Sequence, residues 1–391
     1  MSDSFSEVTS ESWFSRIQGA IKGILVGLVM FAISLPLLFW NEGRAVQTAK
    51  SLDEGSGAVV SVKSESVDSA TEGKFVHFSG MATTDETLFD EQFNVSVNAI
   101  HLVRNVEMYQ WEEEEKSDTK KRVGGGSETV TTYSYDLAWS SSLIDSSSFH
   151  ERGRDEHQNP LAMPVKSNSI SAGNVLVGAY QLPPELVAEI ENPKTVVLTE
   201  DNIPVEFTEA TESMAAMQLA SSTQLYLGQS PSSPELGDVR ISLVQTDPAD
   251  VSVYGQQTSQ TLQPYQTEAG NALLDLRMGI VSGEQMIEMA QAENRMMAWI
   301  LRGVGAFLMF LGIFLVLRPI SVLADVLPIL GNIAEVGVAF IAGVLTISLA
   351  LTTIAVAWLF YRPMIGVPLL VVAVAGIGFL IMKLAGKKAA A

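Results

Sequence analysis

The apolar segments of this chain are distributed very unevenly, and this distribution constrains the fold more than any other feature. One apolar run lies near the start, at 23–40, and three more fall near the end, at 299–317, 336–361 and 364–382. A hydrocarbon core about 30 Å thick is crossed by roughly 20 helical residues. We therefore predict an integral membrane protein with four transmembrane helices and one large extramembrane domain.

The spacing of these runs divides the chain into four parts. Residues 1–22 form a polar N-terminal segment that leads into the membrane interface, and 23–40 form the first transmembrane helix. Residues 41–295 form the extramembrane domain, and 296–391 form a three-helix transmembrane block. The polar Asn41–Arg44 exit, without a small-residue cleavage pattern, favours an uncleaved anchor over a signal peptide.

Two shorter segments carry expectations of their own. Residues 1–12 are rich in serine and glutamate, which predicts a disordered start. Residues 318–335 mix isoleucines and leucines with two prolines. This composition predicts an interfacial segment that lies along the membrane.

The charge is divided as unevenly as the hydropathy. Residues 41–295 contain 39 acidic and 16 basic residues, a net charge of −23, whereas the whole chain has a net charge of −20. An acidic surface repels phosphate backbones, so we do not expect a nucleic-acid partner. The chain contains no cysteine, which excludes disulfides, thiolate metal sites and cysteine nucleophiles. The domain must therefore be stabilised by its own apolar core.

Alternating apolar and polar residues predict that the domain is a β-rich α+β fold. Because strands do not alternate regularly with helices, we expect mostly antiparallel pairing. The alternation is typical of strands at 58–62, 74–79, 88–98, 102–111 and 129–139. The charged and glycine-rich stretch 112–126 between the last two strands predicts a long hairpin with a solvated, flexible tip.

A helix is predicted to connect the domain to the second span. Ser282 and Gln285 have the spacing of a capping box, with serine at the N-cap and glutamine three residues later. The helix can then continue without a break into the apolar run at 299–317. Such a helix would couple the domain rigidly to the membrane.

The basic residues beside the spans predict an orientation. Six flank the spans on the side of both termini and five on the other side. Because the more basic side faces the cytoplasm, we expect the domain outside the cytosol. It would lie in the periplasm of a bacterial inner membrane or in the lumen of a eukaryotic endomembrane. The residues expected at the membrane interface are Trp13, Arg16, Lys22, Trp40, Arg302, Arg318 and Arg362.

Three glycines mark one face of the first helix. Gly19, Gly23 and Gly27 recur every four residues, and small residues at this spacing allow helix backbones to approach closely. We predict that they form a helix–helix contact, within the chain or between copies.

One irregular stretch gathers side chains that are able to carry chemistry. His150, Asp155, His157 and Asn159 form this candidate functional loop. Imidazole and carboxylate bind divalent metals, but the spacing matches no metal motif. We favour a structural loop in which His157 and Asn159 satisfy backbone groups, and we expect no metal and no other cofactor.

Catalysis and transport receive weak support. The chain has no Gly-x-Ser-x-Gly elbow and no phosphate-binding loop, so we expect no enzymatic activity. An envelope enzyme that acts on lipid or peptide is kept as an alternative.

The span at 336–361 offers only hydroxyls and, at its edge, Glu335, whereas transport pathways use ionisable groups within spans. An oligomeric channel or transporter is the other alternative.

Several segments, in their order and spacing, resemble the transmembrane protein 43 family, also called LUMA. The resemblance covers nearly the whole chain. The matching segments are FWNEGRAVQTAKSLDEG (Phe39–Gly55), VEMYQW (Val106–Trp111), TTYSYDLAW (Thr131–Trp139), HQNPLAMP (His157–Pro164), PELGDVRIS (Pro234–Ser242) and WLFYRP (Trp358–Pro363).

The resemblance implies one N-terminal span, a large luminal domain and three C-terminal spans. It also implies a self-associating, membrane-organising scaffold protein with no established catalytic residues. Animal members are placed in the endoplasmic reticulum and inner nuclear membrane. The acidic, cysteine-free character fits a bacterial member as well, so nuclear-envelope partners are not transferred. We expect a homo-oligomer that contacts membrane lipids and other membrane or envelope proteins.

Overall fold

Long helices and a β-rich body make up the molecule. The computed structural model describes residues 3–150, 157–210, 215–368 and 371. The helices are α1 (Trp13–Ala58), the short α2 (Pro184–Val187), α3 (Gly283–Ala324) and α4 (Pro328–Tyr361). By length and composition, α1, α3 and α4 are able to cross a membrane. The predicted fourth span falls largely outside the described residues, so the structure supports three spans and does not test the fourth.

Nineteen strands are present in the described part of the chain, together with short 3-10 helices at 69–71, 146–148, 200–202 and 205–207. The strands are β1 (Asp3–Glu11), β2 (Val60–Ser61), β3 (Phe75–Thr83), β4 (Thr87–Asp90), β5 (Val95–Asn98), β6 (His101–Lys121), β7 (Ser127–Ser140), β8 (Asn168–Ser171), β9 (Leu176–Val177), β10 (Tyr180–Gln181), β11 (Pro193–Thr195), β12 (Met217–Ser221), β13 (Gln224–Leu227), β14 (Val239–Thr246), β15 (Ala249–Thr258), β16 (Thr261–Gln263), β17 (Tyr265–Gln266), β18 (Ala272–Leu273) and β19 (Asp275–Met278).

Two large, mainly antiparallel sheets share one apolar core. The first follows the order β1-β7-β6-β14-β13-β12, with β8 on β6 and β11 on β14, and the second follows β19-β15-β16-β10-β9-β3-β2. Alternate residues Val239, Ile241 and Leu243 of β14 point into the core, where they meet Phe78 of β3 and Val253 of β15. Burial of every second residue is expected for a strand that has one face against the core, because successive side chains point to opposite faces of the sheet. The prediction of a large β-rich domain is confirmed.

The two long helices that enter the body are continuous. Ser282 caps α3, accepting a hydrogen bond from the Gln285 backbone N–H while the Gln285 side chain accepts one from the Ser282 backbone. Helix α3 then runs unbroken into its apolar segment, as the sequence predicted. Helix α1 likewise passes from its apolar segment into the body, where Ser51 and Gly55 are buried. We call the packed apolar segments of α1, α3 and α4 the apolar bundle. The domain and this bundle are joined through two rigid helices, α1 and α3.

The apolar bundle depends on glycines at the α1–α3 contact. A Cβ on Gly27 would lie 2.7 Å from the backbone oxygen of Gly312, and one on Gly312 would lie 2.7 Å from the Phe31 backbone nitrogen. Gly305 lies two turns before Gly312 on α3, and a Cβ on it would lie 2.6 Å from Leu38. Helix α4 packs against this pair, and Leu38, Met309 and Ala342 are buried at the centre.

The segment 318–335 differs from the prediction of an interfacial segment. Helix α3 continues through Pro319 to Ala324, and α4 begins at Pro328, so only three residues connect them. The apolar residues of this segment extend the two helices instead of forming a separate layer. The buried Asp325 in the connection is held by ion pairs with Arg16 and Lys121, which fix the turn.

The start of the chain also differs from its prediction. Residues 1–12 were expected to be disordered, but Asp3–Glu11 form β1, which pairs antiparallel with β7 from Asp3↔Tyr135 to Glu11↔Ser127. The open edge of β7 supplies backbone partners that the local sequence does not reveal. We call the three-stranded extension made of β1, β7 and residues 111–121 of β6 the ribbon.

Candidate functional site

The most distinctive polar cluster lies where the apolar bundle meets the body, around Asn41–Arg44 of α1; we call it the junction. Glu42 is fully buried there. Its carboxylate accepts hydrogen bonds from Arg302 Nε (2.6 Å) and Nη2 (2.8 Å) and from Trp358 Nε1 (2.7 Å). One carboxylate thus binds α1 to α3 and α4. A buried charge of this kind is tolerated only when paired and hydrogen-bonded.

The neighbouring side chains extend this network along α1 and α3. Asn41 Nδ2 donates to the Ala298 carbonyl (3.0 Å), and Asn294 Nδ2 donates to the Ala45 carbonyl (2.9 Å). Arg44 Nη1 donates to Asn294 Oδ1 (3.1 Å). The Nε and Nη2 atoms of Arg44 are buried and have no hydrogen-bond partner among the described residues. The junction therefore holds an incompletely satisfied cation.

Gly43 allows the end of α4 to approach this network. A Cβ at Gly43 would lie 2.7 Å from the Tyr361 ring, and the Phe39 ring lies 5.3 Å from the same ring. A side chain at position 43 would push Tyr361 away from α1. The glycine between Glu42 and Arg44 thus places Trp358 within reach of Glu42.

Cavities flank the junction on different sides of α1, and two of them are lined by described residues. The first has a volume of about 390 Å³ and is lined by residues that include Asp53, Arg295, Trp299, Arg302 and Arg362. The second has a volume of about 450 Å³, and its lining includes Trp40, Arg44, Lys50 and Tyr361. Both cavities combine cations with aromatic rings, a composition typical of membrane interfaces.

An ion-pair cluster fixes α3 to the body beside the junction. Arg277 of β19 forms a two-pronged pair with Glu293 of α3 (2.6 and 2.7 Å) and also contacts Asp275 (2.9 Å). The hydrogen bonds from Arg277 lower the pKa of Glu293, whereas burial raises the pKa of Asp275. Burial also raises the pKa of Tyr254 nearby. This cluster orients the first turns of α3 and lies outside the apolar bundle.

His77 fixes the start of α3 and gives a prediction of pH dependence. It lies on β3, with its Nε2 2.9 Å from the Val281 carbonyl, and burial lowers its pKa. Because the folded pKa lies below the ordinary value of about 6.5, folding favours the neutral ring. The stability that this gives is present above that pH and is lost as the pH falls toward the folded pKa. The melting temperature should therefore decrease from pH 7.5 to pH 5 more steeply in the parent protein than in His77→Gln.

The comparison is provided by His101, which lies on β6, is half-buried, and has its Nε2 2.9 Å from the Val187 carbonyl. We expect the flattening of the acid dependence to be larger in His77→Gln than in His101→Gln. An equal flattening in both variants would contradict the assignment to His77.

The tip of the hairpin is held at the opposite end of the bundle. Lys121 pairs with Asp325 (3.0 Å) and Glu335 (2.6 Å), and the Gly124 N–H donates to the Val326 carbonyl (3.1 Å). Arg16 Nη1 donates to the Gly125 carbonyl (2.6 Å). We call this contact between the hairpin tip and the ends of α1, α3 and α4 the clasp. The tip is therefore not free in solvent, unlike the sequence prediction.

The predicted glycine face is only partly used within the chain. Gly27 lies in the tight α1–α3 contact, and Gly23 just touches Leu315 at 4.0 Å. Among the described residues, no atom outside the local backbone of α1 lies within 4 Å of a Cβ built on Gly19. Gly312 and Gly305 complete the contact from α3. They were missed because glycine is common in membrane helices and its partner face is not readable from one sequence.

The predicted interface residues separate into two ends and an exposed set. Trp13 and Arg16 belong to the clasp, where Trp13 Nε1 donates to the Val322 carbonyl (2.9 Å). Arg302 and Arg362 lie at the junction. Lys22, Trp40 and Arg318 are exposed.

The described histidines of the candidate loop, His150 and His157, contact different tyrosines of β7, near the end of the ribbon that joins the body. The His150 ring stacks on Tyr133 (3.9 Å between centroids) and lies 3.4 Å from Glu7. The His157 ring is buried and stacks on Tyr135 (4.3 Å). Asp155 lies outside the described residues. In the described part of the chain, no group of three His, Cys, Asp or Glu side chains has a metal-binding arrangement.

Asn159 has a structural contact of the kind considered for this loop. Its Oδ1 accepts from the Trp111 backbone N–H (2.7 Å), and its Nδ2 donates to the Trp111 and Ile144 carbonyls (3.0 and 3.2 Å). It closes the loop onto β6 where the ribbon leaves the body.

The hydroxyls of α4 are mostly engaged by their own helix. Ser348, Thr352 and Thr353 each donate to the carbonyl four residues earlier, at 2.7 to 2.9 Å. Side-chain bonds of this kind are common in membrane helices and leave little capacity for a solute. The buried Thr346 hydroxyl has no partner among the described residues.

Glu42, Trp358 and Asp325 were not predicted as site residues. A carboxylate directly after an apolar run was a readable signal for Glu42, because such a group needs a cation nearby. Its partner Arg302 lies 260 positions away, so the pair itself was not readable. Asp325 was not predicted because it lies among apolar residues in the segment 318–335, where the sequence shows no partner for it.

Long apolar helices joined rigidly to a β-rich domain define an integral membrane protein with a large extramembrane part. A family described as Transmembrane protein 43 has a model that matches residues 108–363. The chain belongs to the transmembrane protein 43 family, as the sequence resemblance predicted. No solved structure matches the chain.

Three relatives illustrate the extent of the likeness. Transmembrane protein 43 of Mus musculus is 36% identical over 374 residues, which cover 92% of this chain and 90% of the relative. The Homo sapiens protein of the same name is 34% identical over 365 residues, covering 90% and 88%. The Drosophila melanogaster homolog is 31% identical over 358 residues, covering 88% and 90%.

Proposed function

We propose that this protein is a non-catalytic, self-associating membrane protein that organises its surroundings through a rigid extracytosolic domain. The domain would bind protein or lipid partners, and the apolar bundle would fix it to the bilayer. Support comes from the two continuous helices, α1 and α3, which transmit the position of the bundle to the domain. The observation that carries the self-association is the pair of open edges on the ribbon.

Both edges of the ribbon have unused backbone groups. Within the described residues, β1 pairs only with β7, and β6 beyond Tyr109 pairs only with β7. Open strand edges are templates for pairing with another chain. Since β1 and β6 are both antiparallel to β7, they run in the same direction. Copies related by rotation about a membrane normal would therefore bring β6 of one beside β1 of the next.

The position of the ribbon relative to the bundle supports the same arrangement. The body contacts α1 at Ser51 and Gly55, whereas the clasp contacts it at Trp13 and Arg16. The apolar run at 23–40 lies between these contacts, so the ribbon extends alongside it. Residues 111–121 span about 33 Å at a strand rise of about 3.3 Å, which is close to a hydrocarbon thickness.

Polar side chains at this level cannot face lipid without a large cost. Glu112 to Glu115 are consecutive carboxylates on β6, followed by Lys116 and Asp118, and charged groups at bilayer depth face protein or water-filled space. A ring of copies would place the ribbons inside and the exposed apolar faces of the helices outside. Closure would also remove the open edges.

Cysteine cross-linking tests this arrangement cleanly because the chain has no cysteine of its own. Glu7 of β1 and Ser117 of β6 both lie opposite Thr131 of β7. They are two strand spacings apart, about 10 Å, and a disulfide requires Cα atoms within about 7 Å. We expect Glu7→Cys/Ser117→Cys to form disulfides only between copies, giving dimers and larger covalent species in membranes.

Two controls distinguish edge pairing from random collision. Each single variant should stay mostly monomeric under the same oxidation. The second control is Ser232→Cys/Ser117→Cys, in which one cysteine lies at an exposed position of the body. This pair should also fail to cross-link. Absence of cross-links for Glu7/Ser117 in native membranes, with the protein folded, would contradict ribbon pairing.

An oligomeric channel is the second candidate function, favoured by the polar ribbon beside the apolar bundle. A closed ring of ribbons would enclose a polar space. Ion flux through liposomes that contain the oligomer, and no flux with separated monomers, would favour the channel over a scaffold without a pore.

A further inference from the structure

The cavity of about 390 Å³ at the junction has three arginines around it, two of them on α3. Arg295, Trp299 and Arg302 are spaced by four and three residues, so they lie on one helix face. Arg362, directly after the end of α4, lines the cavity from the other side. Three guanidinium groups from two segments thus converge on a single space.

These cations are not neutralised equally. Arg302 uses Nε and Nη2 to bind Glu42, which fixes the orientation of its guanidinium group. Within the described residues, Arg295 and Arg362 form no ion pair within 4.0 Å. Of the lining residues that the structure describes, Asp53 is the one carboxylate, and it accepts a hydrogen bond from Gln291 (2.8 Å). The cavity therefore has an excess of positive charge.

This excess contrasts with the charge of the rest of the domain. Residues 41–295 have a net charge of −23, which repels anions from most of the surface. The cationic cavity lies at the end of the domain that meets the apolar bundle. An anion that approaches from the membrane side therefore meets attraction at the cavity and avoids the repulsion of the acidic surface.

The surface next to the cavity is apolar and faces outward. Trp299 is 70% exposed, and Phe307, two turns further along α3, is 60% exposed. The Arg302 guanidinium lies 4.7 Å from the Trp299 ring, an arrangement typical of cation–π contact. A ligand with an anionic head and apolar chains would place its head among the arginines and its chains along α3.

From this combination we infer that the junction cavity binds the phosphoryl headgroup of an anionic phospholipid. Guanidinium groups match phosphate oxygens in charge and geometry, and basic pockets between membrane helices bind lipid headgroups. Arg295 and Arg362 would contact the phosphoryl oxygens, and Arg302, oriented by Glu42, would complete the site. The inference rests on the lipid-binding part of the proposed function and is independent of self-association.

The test uses the full chain in mild detergent after removal of co-purified lipid. Binding of dihexanoyl phosphatidylglycerol, dihexanoyl phosphatidylcholine and inorganic phosphate would be measured by native mass spectrometry and by the shift in melting temperature. We expect the anionic lipid to bind, with much weaker binding of the zwitterionic lipid and of inorganic phosphate. In Arg295→Gln/Arg362→Gln, affinity for the anionic lipid should fall at least about tenfold, which corresponds to about 1.4 kcal/mol, because the variant removes two charge-assisted contacts.

The matched control is Lys22→Gln/Arg318→Gln, which removes two exposed cations remote from the cavity. It should leave binding unchanged. Equal loss in both double variants would overturn the site in favour of general charge attraction. Unchanged binding in the cavity variant, with its melting temperature intact, would also overturn it. Equal affinity of the parent protein for inorganic phosphate would reject lipid as the source. The oligomer mass of each variant separates these outcomes from failure of self-association.

Discussion

Replacing Glu42 by alanine is expected to lower the free energy of unfolding by about 3–5 kcal/mol. The substitution leaves Arg302 without its carboxylate in a largely buried position and removes the acceptor of Trp358 Nε1. The junction would then lose a carboxylate that contacts all three helices. Thermal unfolding in mild detergent, followed by tryptophan fluorescence, would measure the loss.

Two variants define what this result means. Glu335→Ala removes a carboxylate that is 49% exposed and pairs with Lys121, so it should cost no more than about 1 kcal/mol. Glu42→Leu combined with Arg302→Met removes both buried charges and should recover much of the loss. A Glu42→Ala protein as stable as the parent would show that the junction carboxylate does not hold the bundle.

The second large effect is expected at the closest helix contact. Gly27→Leu should destabilise the bundle by about 3 kcal/mol, the upper end of the usual overpacking cost. Its Cβ alone would lie 2.7 Å from the Gly312 oxygen and 2.9 Å from Leu315 Cβ. Because the first of these atoms belongs to the backbone, α1 and α3 would have to separate. Thermal unfolding and protease accessibility of the bundle would report the change.

The same substitution eight residues earlier is a direct control. In the part of the chain that the structure describes, a Cβ at Gly19 meets no atom within 4 Å beyond the local backbone of α1. Gly19→Leu should therefore be neutral or slightly stabilising, since leucine favours helix over glycine. Similar losses for Gly19→Leu and Gly27→Leu would contradict the packing described for α1 and α3. A loss confined to Gly19→Leu, together with loss of oligomers, would instead assign that glycine to a contact between copies.

Local patterns predicted the elements whose partners lie nearby or whose periodicity is strong. The apolar runs at 23–40, 299–317 and 336–361 predicted α1, α3 and α4, the Ser282–Gln285 capping box predicted the start of α3, and alternation predicted strands such as β3. In each of these elements the determining interactions recur within a few residues. The hairpin of β6 and β7 was readable for the same reason, because its two strands are adjacent in sequence.

Long-range partners were not predictable. Residues 3–11 looked disordered because their polar side chains bury little, yet the edge of β7 supplies their backbone partners. The clasp joins Arg16 to Asp325, 309 positions apart, and the junction joins Glu42 to Arg302. A charged residue alone predicts that a partner is needed, but its identity depends on how three helices pack. The candidate loop was recognised as a cluster, whereas its contacts with Tyr133 and Tyr135 required the fold.

The most direct test of self-association is the mass of the full chain in lipid nanodiscs, measured by native mass spectrometry. We expect one defined complex of several copies that loses its integrity when residues 1–12 are deleted, because β1 supplies one edge of the ribbon. A single copy per nanodisc at every protein-to-lipid ratio, with the folded state verified by thermal unfolding, would contradict it.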